Sequence, residues 1–156
     1  MDEPTVLIVE DGDEYLDNLS RFVRGPRYLQ AHNGAEALGH LDRERVDLVY
    51  LDMRFDRIPK GDLMGDHVEA TREHNGDPER GWRHLQMNQG LYILEALRKA
   101  GRGAIPVIVA YDFSRQTRRY EHLRKVHPTL RWVPDAISPE EIRALMEELL
   151  SRGVRC

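Results

Sequence analysis

The sequence predicts an α/β protein, a parallel sheet of five strands interleaved with helices. Three observations carry this. Five short apolar runs recur, at Thr5–Val9, Tyr28–Ala31, Val46–Asp52, Ile105–Ala110 and Leu130–Val133. Periodicity alone cannot separate such runs from pieces of buried helix, but their length and β-branched content favour strands. Between them lie segments whose apolar residues recur at helical spacing, and glycine, proline or acidic residues punctuate the junctions. Strands alternating with helices in this way form a parallel sheet with right-handed crossovers.

Taken in order, Val6-Leu7-Ile8-Val9 runs straight into Glu10-Asp11-Gly12-Asp13, a tight turn at the C-terminal end of the first strand. Asp13 is expected to cap the next helix, in which Leu16, Leu19, Phe22 and Val23 recur at helical spacing. Gly25-Pro26 ends it. After the second strand, Asn33 or Gly34 turns into a helix carrying Ala35, Ala37, Leu38 and Leu41. The run Val46-Asp47-Leu48-Val49-Tyr50-Leu51-Asp52 follows, a buried strand that delivers one carboxylate to the sheet edge. From Arg54 to about Asp77 no period is sustained, and such a stretch inside a compact domain is functional or mobile.

Asp77-Pro78-Glu79 then starts a helix, with a capping side chain, proline at the first helical position and an acid at the positive dipole end. Trp82, Leu85, Gln89, Tyr92, Ile93, Ala96 and Leu97 continue it to Gly101, although Gly90 weakens it by ~1 kcal/mol. Pro106 is tolerated at the start of the fourth strand. Ser114 is expected to cap a helix with Tyr120, Leu123 and Val126 inward, ended by His127-Pro128. Ser138-Pro139-Glu140-Glu141 reads as a capping box before a last helix with the stripe Ile142, Leu145, Met146, Leu149 and Leu150.

The 156 residues make one domain with a single core. A net charge of −4 opposes a nucleic-acid surface spread over the molecule. No stretch approaches the ~20 apolar residues that span a bilayer, and Met-Asp-Glu-Pro lacks a signal-peptide pattern. Cys156 is the only cysteine, so no internal disulfide forms and a cytoplasmic location is expected.

In open parallel sheets, sites form beyond the C-terminal strand ends. Glu10 and Asp11 follow the first strand, Asp52 ends the third, Tyr111 and Asp112 follow the fourth, and Asp135 follows the fifth. The acids therefore converge on one rim. Clustered carboxylates raise one another's pKa unless a cation sits among them, and a hard divalent ion such as Mg2+ suits an all-oxygen set. With the metal in place, Asp52 has the position of a nucleophile toward a phosphoryl group, giving an acyl phosphate.

At this point the chain resembles the receiver domain of two-component response regulators, over Thr5–Met53 and Gly90–Leu150. Val6-Leu7-Ile8-Val9-Glu10-Asp11 looks like its first strand and acidic pair. Ala31-His32-Asn33-Gly34-Ala35-Glu36-Ala37-Leu38 is similar to its second strand turn and helix. Asp47-Leu48-Val49-Tyr50-Leu51-Asp52-Met53 resembles the phosphoacceptor segment, and Gly90-Leu91-Tyr92-Ile93-Leu94 and Ile105-Pro106-Val107-Ile108-Val109 the third helix and fourth strand. The resemblance implies a flavodoxin-like, doubly wound sheet of order 2-1-3-4-5 with helices on both faces. It implies phosphorylation of Asp52 by a sensor histidine kinase or phosphotransfer protein. Mg2+ would be held by Asp11, Asp52 and the main-chain carbonyl of Arg54, with Glu10 acting through water.

Three departures stand out. Tyr111 occupies the switch position where the family has serine or threonine, and its ring is expected to pack outward or plug the site. Asp135 stands where the family carries a lysine, with Ala136 in place of the following proline, so a counter-charge becomes a repulsion. Gly90 lies 38 positions after Asp52, so a segment at about 54–89 is inserted beside the acceptor. Arg54, Arg57 and Lys60 open that insertion, as a solvated basic loop or as replacements for the missing lysine. His67, His74 and His84 raise a zinc reading, but no two have a tight ligand spacing. Arg115, Arg118, Arg119, Arg124 and Lys125 make the fourth helix of the resemblance basic. This is a solvated face or, by the resemblance, part of a partner or homodimer surface.

Three functional readings follow. One is a stand-alone receiver, signalling to an undefined downstream protein after phosphorylation on Asp52. Another is a pseudo-receiver that binds partners independently of phosphorylation. The third, a phosphohydrolase, is opposed by Arg54 standing where a second acid would serve. No enzymatic activity beyond self-phosphorylation is expected.

Overall fold

The computed structural model describes residues 3–153. Five parallel strands, β1 (Thr5–Val9), β2 (Arg27–Ala31), β3 (Leu48–Asp52), β4 (Val107–Ala110) and β5 (Leu130–Val133), form one sheet in the order β2-β1-β3-β4-β5. Between and after them run α1 (Glu14–Phe22), α2 (Gly34–Arg43), α3 (His67–Glu73), α4 (Pro78–Met87), α5 (Gln89–Lys99), α6 (Thr117–Val126) and α7 (Pro139–Gly153). The predicted order 2-1-3-4-5 and the doubly wound architecture are both present.

Alternation along the strands sorts the core into two layers. Val6, Ile8, Leu48, Tyr50, Ile108, Ala110 and Val133 pack with Leu19 of α1 and Ile142, Met146 and Leu149 of α7. Leu7, Val9, Val49, Leu51, Val107, Val109 and Leu130 pack on the other face with Ala37 and Leu41 of α2, Ile93, Leu94 and Leu97 of α5, and Phe113. The central strands read as unbroken apolar runs because both faces are covered. The same alternation puts Glu10 and Asp52 on the α1/α7 side, in line with Ile8 and Tyr50.

Several local expectations are corrected. The stretch 54–77 is structured, with a 3-10 turn at Lys60–Asp62 and α3 beyond it. Asp66 starts α3, its carboxylate accepting from the amides of Val68 and Glu69, a single cap that a search for long periodic runs passes over. The helix expected from Asp77 to Gly101 is two, broken at Asn88, because chain beyond β3 reaches up to this point. Phe55 N–H donates to the Gln86 carbonyl at 2.8 Å and Gly90 N–H to the Met53 carbonyl at 2.9 Å.

Asp13 does not cap α1. Its carboxylate lies 2.9 Å from His32 Nε2, and Glu10 Oε1 accepts from the Tyr15 amide instead. Ser114 does not cap α6, which begins at Thr117 after Gln116; the Ser114 amide donates to Asp112 Oδ1. Two expected caps hold: Asp77 accepts from the amides of Glu79 and Arg80, and Ser138 Oγ from the Glu141 amide. Of Asn33 and Gly34, it is Asn33 that starts α2, accepting from the Glu36 amide.

The inserted segment is a helical hairpin tied to the domain at its base. Asn75 and Gly76 turn α3 into α4 with φ of 58° and 79°. The fully buried Gln89 amide accepts from Met64 N–H and donates to the carbonyls of Met64 and Leu85. Replacing Asp77 with alanine removes the α4 cap and is expected to cost about 1 kcal/mol. A urea midpoint unchanged from wild type would contradict this.

Candidate functional site

The site is built at the carboxyl edge of β1 and β3. Glu10 follows directly after a strand with no exposed apolar residue and is itself 3% exposed. Its Oε1 accepts from the Tyr15 amide at 3.0 Å. Burial pushes its carboxyl up to about 7, assisted by the charges of Glu14 and Asp52.

Asp52 closes β3 and is largely buried. Its Oδ1 accepts from the Met53 amide at 2.8 Å. Burial raises its pKa to about 7, and the charges of Asp11 and Asp135 raise it further against the amides of Met53 and Arg54. Asp52 thus feels the charges of Asp11 and Asp135, and Glu10 that of Asp52, whereas Asp112 is engaged by the Ser114 amide instead. Among the described residues no ion pair reaches Asp52 within 4.0 Å.

Asp11 is in a different state. Its Oδ2 accepts from the amides of Asp56 and Arg57, each at 3.0 Å. Its Oδ1 faces the Arg57 guanidinium at 3.1 Å. The same guanidinium holds Glu14 through both Nη atoms, at 2.7 and 3.0 Å, and lies 4.0 Å from Glu10 Oε2. Glu14 is drawn down to about 2 as a result. Of the three basic residues at the head of the insertion, only Arg57 enters the acid cluster. Arg54 is exposed, and the Lys60 ammonium lies 5.7 Å from the Trp82 ring.

Arg57 does not stand where the family's lysine would. It neutralises Asp11 on the β1 side, whereas Asp135, exposed in the turn after β5, adds negative charge to Asp52. Asp135 also rims a cavity of about 250 Å3 whose walls include Tyr15, Tyr50, Leu19 and Ile142.

Tyr111 packs away from the acids. Its ring lies edge-on to Phe113, with centroids 4.8 Å apart, and its hydroxyl accepts from Gln116 Nε2 at 2.9 Å. Of the two expectations for this residue, outward packing is the one observed.

Glu10, Asp11, Asp52 and the main chain of Arg54 offer oxygen donors alone, the type hard divalent ions take, but no three of the described acidic side chains are grouped as a metal site. Burial, with a smaller contribution from neighbouring charge, holds Glu10 and Asp52 near 7, and a cation beside them would favour their charged forms. Arg57 already occupies one oxygen of Asp11.

His67 is engaged apart from the other two, whose ring centroids lie 5.1 Å from each other. His67 stacks on Trp82 with centroids 3.7 Å apart, and its Nε2–H donates to the Pro78 carbonyl. His74 Nδ1–H donates to the Ala70 carbonyl. His84 lies against Asn88 and Tyr92. No group of three metal-ligating side chains is found among the described residues.

Sequence reasoning missed Glu14 and Gln89 altogether. Glu14 carried one signal, its place one residue past the acidic run. Gln89 carried none.

No protein-family model and no curated protein sequence matches the chain. Solved structures do. A Francisella response regulator 1452 receiver domain is similar at TM-score 0.65 and 18% identity, covering 96% of this chain and 98% of that one. A CheY-like receiver domain protein from Methanospirillum hungatei JF-1 is similar at TM-score 0.65 and 14% identity, covering 99% and 98%. A BeF3-activated DrrB receiver domain follows at TM-score 0.60 and 16% identity, covering 96% and 99%. At these identities what is shared is the fold, and it is that of response-regulator receiver domains.

Proposed function

We propose, with the receiver fold as premise, that this chain is a phosphorelay signalling component that accepts a phosphoryl group on Asp52 with Mg2+. The observation that carries the reading is Asp52 itself, a largely buried carboxylate beside Glu10 and Asp11 with no cation paired to it among the described residues. An Asp52 oxygen attacks the phosphorus of a phosphohistidine on a sensor kinase or phosphotransfer protein. The P–N bond breaks, the imidazole keeps the electron pair, and an acyl phosphate forms. Mg2+, when bound, supplies the charge that offsets the phosphoryl oxygens. Glu10, Asp11, Asp52 and the Arg54 carbonyl would hold it.

Signal output is proposed through protein contacts. The exposed Arg115, Arg118 and Lys125 on and before α6, beside the half-exposed Val126, offer a basic patch for a downstream protein or a second copy. No helix among the described residues is long and apolar enough to cross a membrane, and a cytoplasmic setting is part of the proposal.

Incubation with acetyl phosphate and Mg2+ should add the mass of one phosphoryl group. The gain should disappear in Asp52→Asn and on chelation. A wild-type mass unchanged under these conditions overturns the reading.

Arg57 on Asp11, together with Tyr111 and Asp135 at the switch positions, favours a second reading, a phosphorylation-independent interaction module. Under that reading Asp52→Ala leaves partner binding as it was.

A further inference from the structure

We propose that Arg57, seated by Glu14, is a built-in competitor for the cation. It holds the head of the insertion against Asp11 until a divalent ion displaces it, so cation binding and release of the Asp56 and Arg57 contacts with Asp11 are coupled. The proposal rests on the reading of Glu10, Asp11 and Asp52 as cation donors.

Both oxygens of Asp11 are taken by the inserted segment, one by two main-chain amides and the other by the guanidinium. One acceptor direction on Oδ1 remains, but the guanidinium beside it repels a second cation, so a divalent ion at Asp11 is set against Arg57. The guanidinium is not built on the acids alone. Glu14 grips it with two hydrogen bonds, and Gly12 leaves the space it fills, because a Cβ on Gly12 would collide with the Arg57 side chain.

The contact is also reversible by construction. The Arg57 guanidinium is about half exposed, although the Asp11 carboxylate that it faces is buried, so water and salt reach one side of the pair and screen it in part. A divalent ion among three carboxylates, two of them buried and repelling one another, gains far more from the same place. Asp52 is not part of the Arg57 network, so the displaced state leaves the acceptor free.

Two ligands competing for one carboxylate are reciprocally linked, so weakening the strap must tighten the cation. The decisive variant is Glu14→Gln. Glu14 is not among the proposed donors, and removing a nearby negative charge should by simple electrostatics weaken cation binding. The competitor proposal predicts the opposite sign, because Glu14→Gln loosens the guanidinium and uncovers Asp11.

Mg2+ affinity of the full chain would be measured by calorimetry for wild type, Arg57→Gln and Glu14→Gln. Amide hydrogen exchange at Asp56 and Arg57 would be followed with and without Mg2+. Both variants should bind Mg2+ about fivefold more tightly or better, and Mg2+ should raise exchange at the two wild-type amides. Mg2+ binding that Glu14→Gln weakens or leaves alone, with those amides still protected at saturation, overturns the competitor while sparing the donor set. Absence of Mg2+ binding in all three proteins overturns the donor set and the competitor together.

Discussion

Replacing Gly90 with valine should remove most of the stability of the domain. Gly90 is the second residue of α5, is buried, and donates its N–H to the Met53 carbonyl at 2.9 Å. A Cβ at this position would collide with the Asp52 carbonyl oxygen and lie 2.9 Å from Met53 Cα. Both obstacles are backbone at the end of a central strand that pairs on both sides, so neither can step aside as a flexible side chain can. Overpacking against side chains commonly costs 1–3 kcal/mol; here about 3 kcal/mol or more is expected, with alanine milder than valine.

Gly61 supplies the control. It is exposed and a Cβ there meets nothing within 4 Å, so Gly61→Ala should stay within about 0.5 kcal/mol of wild type. Urea unfolding of the three proteins decides the matter. A Gly90→Val midpoint equal to wild type would show that α5 does not press on the acceptor strand as described.

Stability should also fall as pH rises through neutrality, and Asp52 should be a main reason. Burial raises the Glu10 and Asp52 carboxyls from ordinary values of 4.5 and 3.8 to about 7 in the folded chain. The folded state thus binds these protons more tightly than the unfolded one. Their stabilising contribution is fully present below about pH 4 and is lost as pH climbs through about 7.

Asp52→Asn keeps an oxygen to accept from the Met53 amide and deletes the charge. At about pH 8 it should stabilise the protein by on the order of 2 kcal/mol, less than the full shift implies because solvent reaches the rim. By about pH 5 the gain should fall to less than half, and it should approach zero only below about pH 4. His127, whose pKa is lowered mainly by burial, works in the opposite direction below neutrality. The wild-type-minus-variant difference cancels it. Thermal melts of both proteins across this range provide the test. An asparagine variant less stable than wild type at the alkaline end would mean that the Asp52 charge is already compensated.

The distribution of what was legible follows from how each feature is encoded. Five strands, their parallel direction and the gathering of Glu10, Asp11, Asp52 and Asp135 at one rim were readable, because burial on both faces writes continuous apolar runs and the turn after each strand is local. The Asp77 and Ser138 caps were readable because a cap needs only two or three neighbours.

Asp13 was misread because Glu10 and His32 settled the question between them, and His32 comes from another strand's end. The break at Asn88 was misread because its cause, the Met53–Phe55 backbone bonding to Gln86 and Gly90, lies more than thirty residues away. Tyr111 needed Gln116 and Phe113 in place before its direction was decided.

By itself, then, the amino-acid order determined the class of fold, the layers of the core and the edge at which carboxylates collect, since these follow from the repeat of apolar residues along each element. Only the tertiary structure decided which cation meets which acid. Arg57 finds Asp11 across 46 residues of chain and Glu14 across 43, while Asp52 is left unpaired among the described residues. A contact at that separation depends on the path of the loop between, and no periodicity records where a loop comes to rest.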